Sequence, residues 1–187
     1  MRKHFLFCGP SGSGKTSIVH YLLSQYDFMR FSISATTRPM RYNEVNGKDY
    51  YFLTVEEFQK KIAQQAFIEW EEVYDQRYYG TLKSEIERIE SERCSAVFDV
   101  DVEGGLQIKK YFGDNLLSVF IRPPSADDLK ARLIARNTET PESLQKRLEK
   151  SIHELSYENL FDHVIVNSDL TLSCKQAQHL IDTFLNQ

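Results

Sequence analysis

Apolar residues along this chain fall into short unbroken runs, and helix-period stretches separate them. The runs are Lys3–Cys8, Met29–Ile33, Ala96–Val100, Leu117–Ile121 and His163–Val166. None shows the strict alternation of a half-exposed antiparallel strand, so they read as buried parallel strands. The helical patterns lie near 15–26, 103–111, 125–136, 141–160 and 170–185. Two of them carry start signals. Thr140-Pro141 reads as an N-cap followed by a first-turn proline. Ser125-x-x-Asp128 reads as a capping pattern after the Pro123-Pro124 break. Strand alternating with helix in this rhythm predicts a three-layer α/β fold.

The middle of the chain departs from that rhythm. From about 37 to 92, short strands are expected around Tyr50–Leu53 and Phe67–Val73. A helix opened by Thr54-x-x-Glu57 lies between them, and another spans about 82–92. This predicts a small α+β lobe inserted between the second and third core strands. The expected division is a core of 1–33 and 93–187 and a lobe of about 34–92. No internal repeat or low-complexity linker interrupts it.

Composition narrows the classes. With 187 residues, 41% hydrophobic and 27% charged, the chain can bury a core and is expected to form one domain with its lobe. A net charge of −4 argues against broad binding to nucleic acid or an anionic membrane, so a phosphate site has to be a local basic cluster. The basic start MRKHFLFCGP is followed by only four apolar residues, Phe5–Cys8, fewer than a secretory signal needs, and no run is long enough to span a membrane. Cys8, Cys94 and Cys174 are odd in number and widely spaced with no CxxC pair, which predicts reduced thiols in a cytoplasmic protein, without zinc or a disulfide framework.

The clearest motif is GPSGSGKT, Gly9–Thr16, which matches G-x-x-x-x-G-K-[ST] between an apolar strand and a helical pattern. Glycines let backbone N–H groups curl around a phosphate, and the helix start adds its positive dipole end. Lys15 supplies a point charge to the β- and γ-phosphates, and the Thr16 hydroxyl can ligate Mg²⁺. A second anion-binding stretch is SATTRPMRYNEVNGKDYYF, residues 34–52. Arg38 and Arg41 can clamp a phosphate dianion, with Tyr50 and Tyr79 as neutral donors. Asp99 and Asp101 follow an apolar strand at the edge where ligands sit in open α/β sheets, and the helix-start acidic pair is an equally physical reading of them. Arg132 and Arg136, four apart, share a helix face, and Arg147 follows on the next helix.

Taken together, GPSGSGKT, SATTRPMRYNEVNGKDYYF, FIEW (Phe67–Trp70), YYGT (Tyr78–Thr81), DVDVEG (Asp99–Gly104), the Arg132/Arg136/Arg147 spacing and VIVNSDL (Val164–Leu170) resemble the guanylate kinases over nearly the whole chain. The resemblance implies a P-loop NTPase core, a GMP-binding lobe and a helical lid at about 126–150. It implies phosphorylation of GMP, and of dGMP, by ATP with Mg²⁺ in purine nucleotide metabolism. Position by position it implies ATP binding by Gly9, Pro10, Ser11, Gly12, Ser13, Gly14, Lys15, Thr16, Ser17 and Asn167. Arg38, Arg41, Tyr50 and Tyr79 are implied as the GMP-phosphate shell, and Ser34, Glu69, Thr81 and Asp101 as guanine contacts. Thr16 is implied as a Mg²⁺ ligand and Asp99 as a ligand through water. Lys15, Arg132, Arg136 and Arg147 are implied as the catalytic cations. Glu103 departs from many members, which carry Gln there, and Val73–Arg77 is one residue longer than in some.

The expected partners are therefore the small molecules ATP and GMP, with no nucleic acid and no membrane, and nothing in the pattern specifies an oligomeric state. Two rival readings are a non-catalytic guanylate-kinase-like binding module and a kinase for a different acceptor. Lys15 and Thr16 speak against the first. Glu69, Ser34 and Thr81 occurring together speak against the second.

Overall fold

The computed structural model describes residues 2–74, 76–135 and 141–187, with backbone alone at 74, 141–144, 146 and 147. In chain order the elements are β1 (His4–Cys8), α1 (Lys15–Gln25), β2 (Met29–Phe31), β3 (Ala35–Thr36), β4 (Tyr51–Phe52), α2 (Val55–Ala63), β5 (Phe67–Tyr74), β6 (Arg77–Leu82), α3 (Lys83–Ser91), β7 (Ser95–Asp99), α4 (Val102–Phe112), β8 (Leu116–Arg122), α5 (Ala126–Ala135), α6 (Pro141–Leu155), β9 (His163–Val166) and α7 (Leu170–Leu185). Contacts divide the chain into two compact units, Met1–Asp27 with Val97–Gln187, and Phe28–Ala96.

The central sheet has the strand order β2-β7-β1-β8-β9, and the β1–β7, β1–β8 and β8–β9 pairs are parallel. Every residue of β1 and six of the seven in β8 are buried, as expected for strands covered by helices on both faces. β9 differs from the buried strand expected. Three of its four residues are exposed, because it forms the sheet edge and has a neighbour on one side only. The register sets Phe7 beside Asp99 and Cys8 beside Phe120. Residue 99 therefore ends its strand level with the point where the chain leaves β1 for the Gly9–Thr16 loop. The Ser125 hydroxyl accepts the Asp128 N–H at 3.0 Å, the start signal read from the sequence. Pro141 is the first residue of α6, while its expected cap Thr140 lies outside the described residues. The helix expected over 141–160 ends at Leu155. There the Ser156 and Tyr157 N–H groups turn back to the His153 and Glu154 carbonyls, and a 3₁₀ turn follows at Glu158–Leu160.

The second unit holds a mixed four-stranded sheet, β4-β3-β6-β5. Its core is Ala35, Phe58, Phe67, Tyr78 and Leu82, with Phe58 stacked on Phe67 at 4.4 Å and on Tyr78 at 5.3 Å. α2 begins with the expected capping box: Thr54 Oγ1 accepts the Glu57 N–H, and Glu57 returns a carboxylate oxygen to the Thr54 N–H. The sequence pattern did not predict β3 or β6. The two residues of β3 become a strand only by pairing with Tyr51–Phe52 and with Tyr79–Gly80. No helix among the described residues is long and apolar enough to cross a membrane.

Candidate active site

In the first unit the loop between β1 and α1 is shaped by sites where only glycine fits. Gly9, Gly12 and Gly14 have φ of 137°, 86° and 95°. A Cβ on Gly9 would stand 2.2 Å from the Ile121 carbonyl oxygen, and one on Gly14 would stand 2.2 Å from Asn167 Nδ2. α1 starts at Lys15 with no side-chain cap and no acidic residue in its first turn. By contrast, α2, α4 and α7 are capped by Thr54, Asp101 and Asp169. The N-terminal N–H groups of α1 are thus left for an anion. Lys15 Nζ donates to the carbonyls of Gly9 at 2.8 Å and Pro10 at 3.1 Å, so the ammonium is held over the loop. Pro10 is buried, Ser11 is half-buried and Ser17 is exposed. Ser13 is fully buried, and its hydroxyl has no hydrogen-bond partner among the described residues.

Two predicted residues reinforce this loop from outside. Asn167, 5% exposed, donates from Nδ2 to the Ser13 carbonyl at 2.8 Å. Arg132 donates to the Asn167 carbonyl at 2.8 Å and to the Ser13 carbonyl at 3.4 Å. Both converge on Ser13, one residue before the Gly14 turn. Arg136 lies outside the described residues, as does the side chain of Arg147, whose backbone is part of α6.

The Thr16 hydroxyl donates to Asp99 Oδ2 at 2.6 Å. A hydroxyl and a carboxylate at the mouth of a phosphate loop are the hard oxygen donors that Mg²⁺ takes when phosphates and waters complete its shell. No group of three or more His, Cys, Asp or Glu that could hold a metal by itself occurs among the described residues. These residues fit a nucleotide-borne Mg²⁺. Asp101 is the N-cap of α4, accepting the Gly104 N–H at 3.0 Å, and its other carboxylate oxygen takes Lys150 Nζ at 3.3 Å. The helix-start reading of this acidic residue therefore holds.

The second unit gathers most of the other predicted residues. Arg38 donates from Nη1 and Nη2 to the two carboxylate oxygens of Glu44, each at 2.8 Å. Its guanidinium lies 5.1 Å from the Tyr50 ring centre and 5.5 Å from that of Phe52, and Tyr50 meets Tyr79 edge-on at 6.1 Å. Glu44 also accepts the Arg41 N–H at 2.7 Å, while the Arg41 side chain is exposed. Glu69 is 7% exposed and accepts the Thr81 hydroxyl at 2.6 Å across the β5–β6 ladder. Ser34 is half-buried just before β3.

The guanylate kinase family model matches residues 1–184. The chain belongs to the guanylate kinase family. It is 49% identical to a guanylate kinase of Bacteroides fragilis over 183 residues, covering 98% of this chain and 90% of the relative. It is 45% identical to one from Porphyromonas gingivalis over 186 residues, covering 99% of both. Its fold is similar to the crystal structure of guanylate kinase from Anaplasma phagocytophilum, with a TM-score of 0.74 at 25% identity over 97% of this chain and 85% of that one.

Within this guanylate kinase frame, two participants had escaped the sequence reading. Glu44 is the first. The Arg38 fork holds it well below the usual carboxylate range, at about 2, and Glu44 in turn pushes the Arg38 guanidinium further up. A carboxylate already occupies the bidentate geometry that a phosphate would use. The only signal for it was an acidic residue amid basic ones in residues 34–52. Glu154 of α6 is the second, 6% exposed and 3.8 Å from Lys150 Nζ. Burial pushes its carboxyl up to about 7, against the pull of Lys150 and Lys15, and Asp101 and Glu103 raise it further. Cys8, read from the sequence as a reduced thiol, is buried, and burial pushes its thiol well above its ordinary value, which makes it inert packing.

Proposed function

We propose that the first unit binds Mg·ATP at Gly9–Ser17 and the second binds GMP through Ser34, Arg38, Arg41, Tyr50, Glu69, Tyr79 and Thr81. The activity is phosphorylation of GMP to GDP by direct in-line transfer, and a pocket that reads the base accepts dGMP as well. The observation that carries this reading is the full-length family match with an intact Lys15-Thr16 pair behind a glycine-shaped loop. Lys15 moves from the Gly9 and Pro10 carbonyls to the phosphates of the nucleotide. Thr16 and, through water, Asp99 would hold Mg²⁺, which when bound would supply charge neutralisation. Arg132, already fixed at Ser13 and Asn167, adds positive charge beside the loop, and Arg136 and Arg147 are proposed to join it. Asn167 is proposed to reach adenine as well as to brace the loop, and Asp101 to join the guanine contacts.

The acceptor phosphate is anionic at neutral pH, so the transfer requires no strong general base. Positioning and charge neutralisation carry the rate. The Glu69–Thr81 pair supplies guanine selectivity, because a buried acceptor left facing the wrong base goes unpaired. The proposed compartment is the cytoplasm, supported by the three free, buried cysteines.

A coupled assay at fixed Mg·ATP with GMP, dGMP, AMP and UMP tests the assignment. GMP and dGMP should turn over, and AMP and UMP should be slower in kcat/KM by roughly a hundredfold or more. Equal rates on all four would refute the guanine pocket.

A further inference from the structure

Glu85 sits in the first turn of α3, and its side chain is 0% exposed. A buried carboxylate is tolerated only when its lone pairs are filled, and this one is filled four times. Oε1 accepts the Ile33 N–H at 3.0 Å and Arg88 Nη2–H at 2.8 Å. Oε2 accepts the Tyr51 hydroxyl at 2.7 Å and Arg88 Nε–H at 2.9 Å. Arg88 compensates the buried charge and passes Nη1 on to Glu92 at 2.6 Å. The same environment acts on its partners: burial and this carboxylate push the Tyr51 phenol above its ordinary value, and Glu85 pushes the Arg88 guanidinium up.

What matters is which backbone positions are held. Ile33 directly precedes Ser34, and Tyr51 directly follows Tyr50. The Tyr51 N–H donates to the Ser34 carbonyl at 2.9 Å, joining the starts of the parallel strands β3 and β4, and the polar segment 37–50 runs from the end of β3 to the start of β4. Glu85 thus holds the starts of both strands that flank that segment, which carries Arg38, Arg41 and Glu44, through the Ile33 N–H before β3 and the Tyr51 hydroxyl at the head of β4. It also lies four residues beyond Thr81, the hydroxyl partner of Glu69.

We propose that Glu85 is a positioning residue for the nucleoside monophosphate. By tying the starts of β3 and β4 to α3 it sets the spacing of Ser34, Tyr50 and Thr81, and hence the affinity for GMP. It touches no substrate itself. This rests on the reading of residues 34–52 as the GMP site.

The test uses the full chain with two substitutions. Glu85→Gln keeps one acceptor oxygen but places an amide NH₂ against donors. Tyr51→Phe removes one hydroxyl and keeps the ring. KM should rise for GMP about tenfold in Glu85→Gln and about threefold in Tyr51→Phe, while KM for ATP stays within about twofold in both. An unchanged KM for GMP in folded Glu85→Gln overturns the proposal, and so does an equal rise in both KM values, the mark of a general loss of structure. If Glu85→Gln does not fold, Tyr51→Phe decides alone: an unchanged KM for GMP overturns the proposal. Arg38→Lys separates the premise from the proposal. If it leaves KM for GMP unchanged, the site reading fails. If it raises KM for GMP while Glu85→Gln does not, Glu85 alone is misassigned.

Discussion

Glu154→Gln should stabilise the protein above neutral pH and leave it unchanged in acid. The carboxyl is 6% exposed on α6, and Lys150 Nζ stands 3.8 Å from it, beyond hydrogen-bond reach. Burial therefore outweighs attraction, and the carboxyl titrates at about 7 in place of 4.5. The proton is held more tightly in the folded chain than in the unfolded one. Stability from this site is then complete below about pH 4.5 and is lost as pH rises through about 7. At about 1.4 kcal/mol per pH unit, the loss amounts to roughly 3 kcal/mol. Gln mimics the protonated acid at every pH, so the variant escapes that loss.

Urea unfolding of both proteins from pH 4.5 to 8 reads the effect as a difference. Among the described residues the other groups that act on Glu154 are Lys150 on α6, Asp101 and Glu103 at the start of α4, and Lys15 at the start of α1; they are common to both chains and largely cancel. The variant's advantage should grow from near zero to about 3 kcal/mol across the window, most steeply between about pH 5 and 7. Lys150→Met, which removes the cation that lowers Glu154, should push that window higher. A difference that stays constant across the range would refute the reasoning, because it would mean that Glu154 carries its charge in the folded chain at no cost.

Two further substitutions probe the two anion sites. Arg38→Lys keeps the charge but loses the fork that now grips Glu44 at two 2.8 Å contacts, and steady-state kinetics should show KM for GMP raised about tenfold or more with KM for ATP little changed. Gly14→Ala forces a side chain onto φ 95° and drives its Cβ to 2.2 Å from Asn167 Nδ2; nucleotide titration should show ATP affinity falling about tenfold or more, and adding Asn167→Ala should restore only the part due to the clash.

Features that depended on local chemistry were the ones legible in the sequence. The Thr54–Glu57 box, the Ser125 start and the full extent of α7 and β9 rest on contacts a few residues apart, or on apolar runs that show themselves. β3 was hidden because two residues have no periodicity, and its partner Gly80 lies 45 positions from Ala35. β6 was hidden because RYYGTL breaks its alternation with Gly80, where even a Cβ would stand 2.7 Å from the Glu69 carbonyl. The end of α6 at Leu155 had no Gly or Pro to announce it, and Ser156 makes the stop by returning its N–H and its hydroxyl to His153. At the site, the sequence supplied Arg38 as a free cation. Its bond to Glu44 depends on the loop folding back on itself, which spacing alone does not reveal.

The two anion sites differ in what holds them open, and that difference decides how each responds to mutation. The Gly9–Thr16 loop is shaped by forbidden volume: Ile121 backbone and Asn167 stand where side chains would go, so its geometry survives changes in charge around it. At Gly47 of the acceptor loop an added Cβ would meet only the Tyr51 ring, at 3.8 Å. The loop's arginine is aimed by a carboxylate and two aromatic rings, and the starts of the strands that flank the loop are tied by another carboxylate. On the proposed reading a phosphate arriving at Arg38 would share or displace Glu44, so GMP binding would exchange one anion for another rather than fill bare positive charge. Such an exchange keeps the cationic fork ordered in a protein of net charge −4, and it makes affinity depend on how well the tethers hold the loop. Substitutions in the second unit should therefore act on the proposed GMP affinity also through partners that touch no substrate, such as Glu44 and Glu85, while the shape of the Gly9–Thr16 loop should fail where an added side chain collides with its walls.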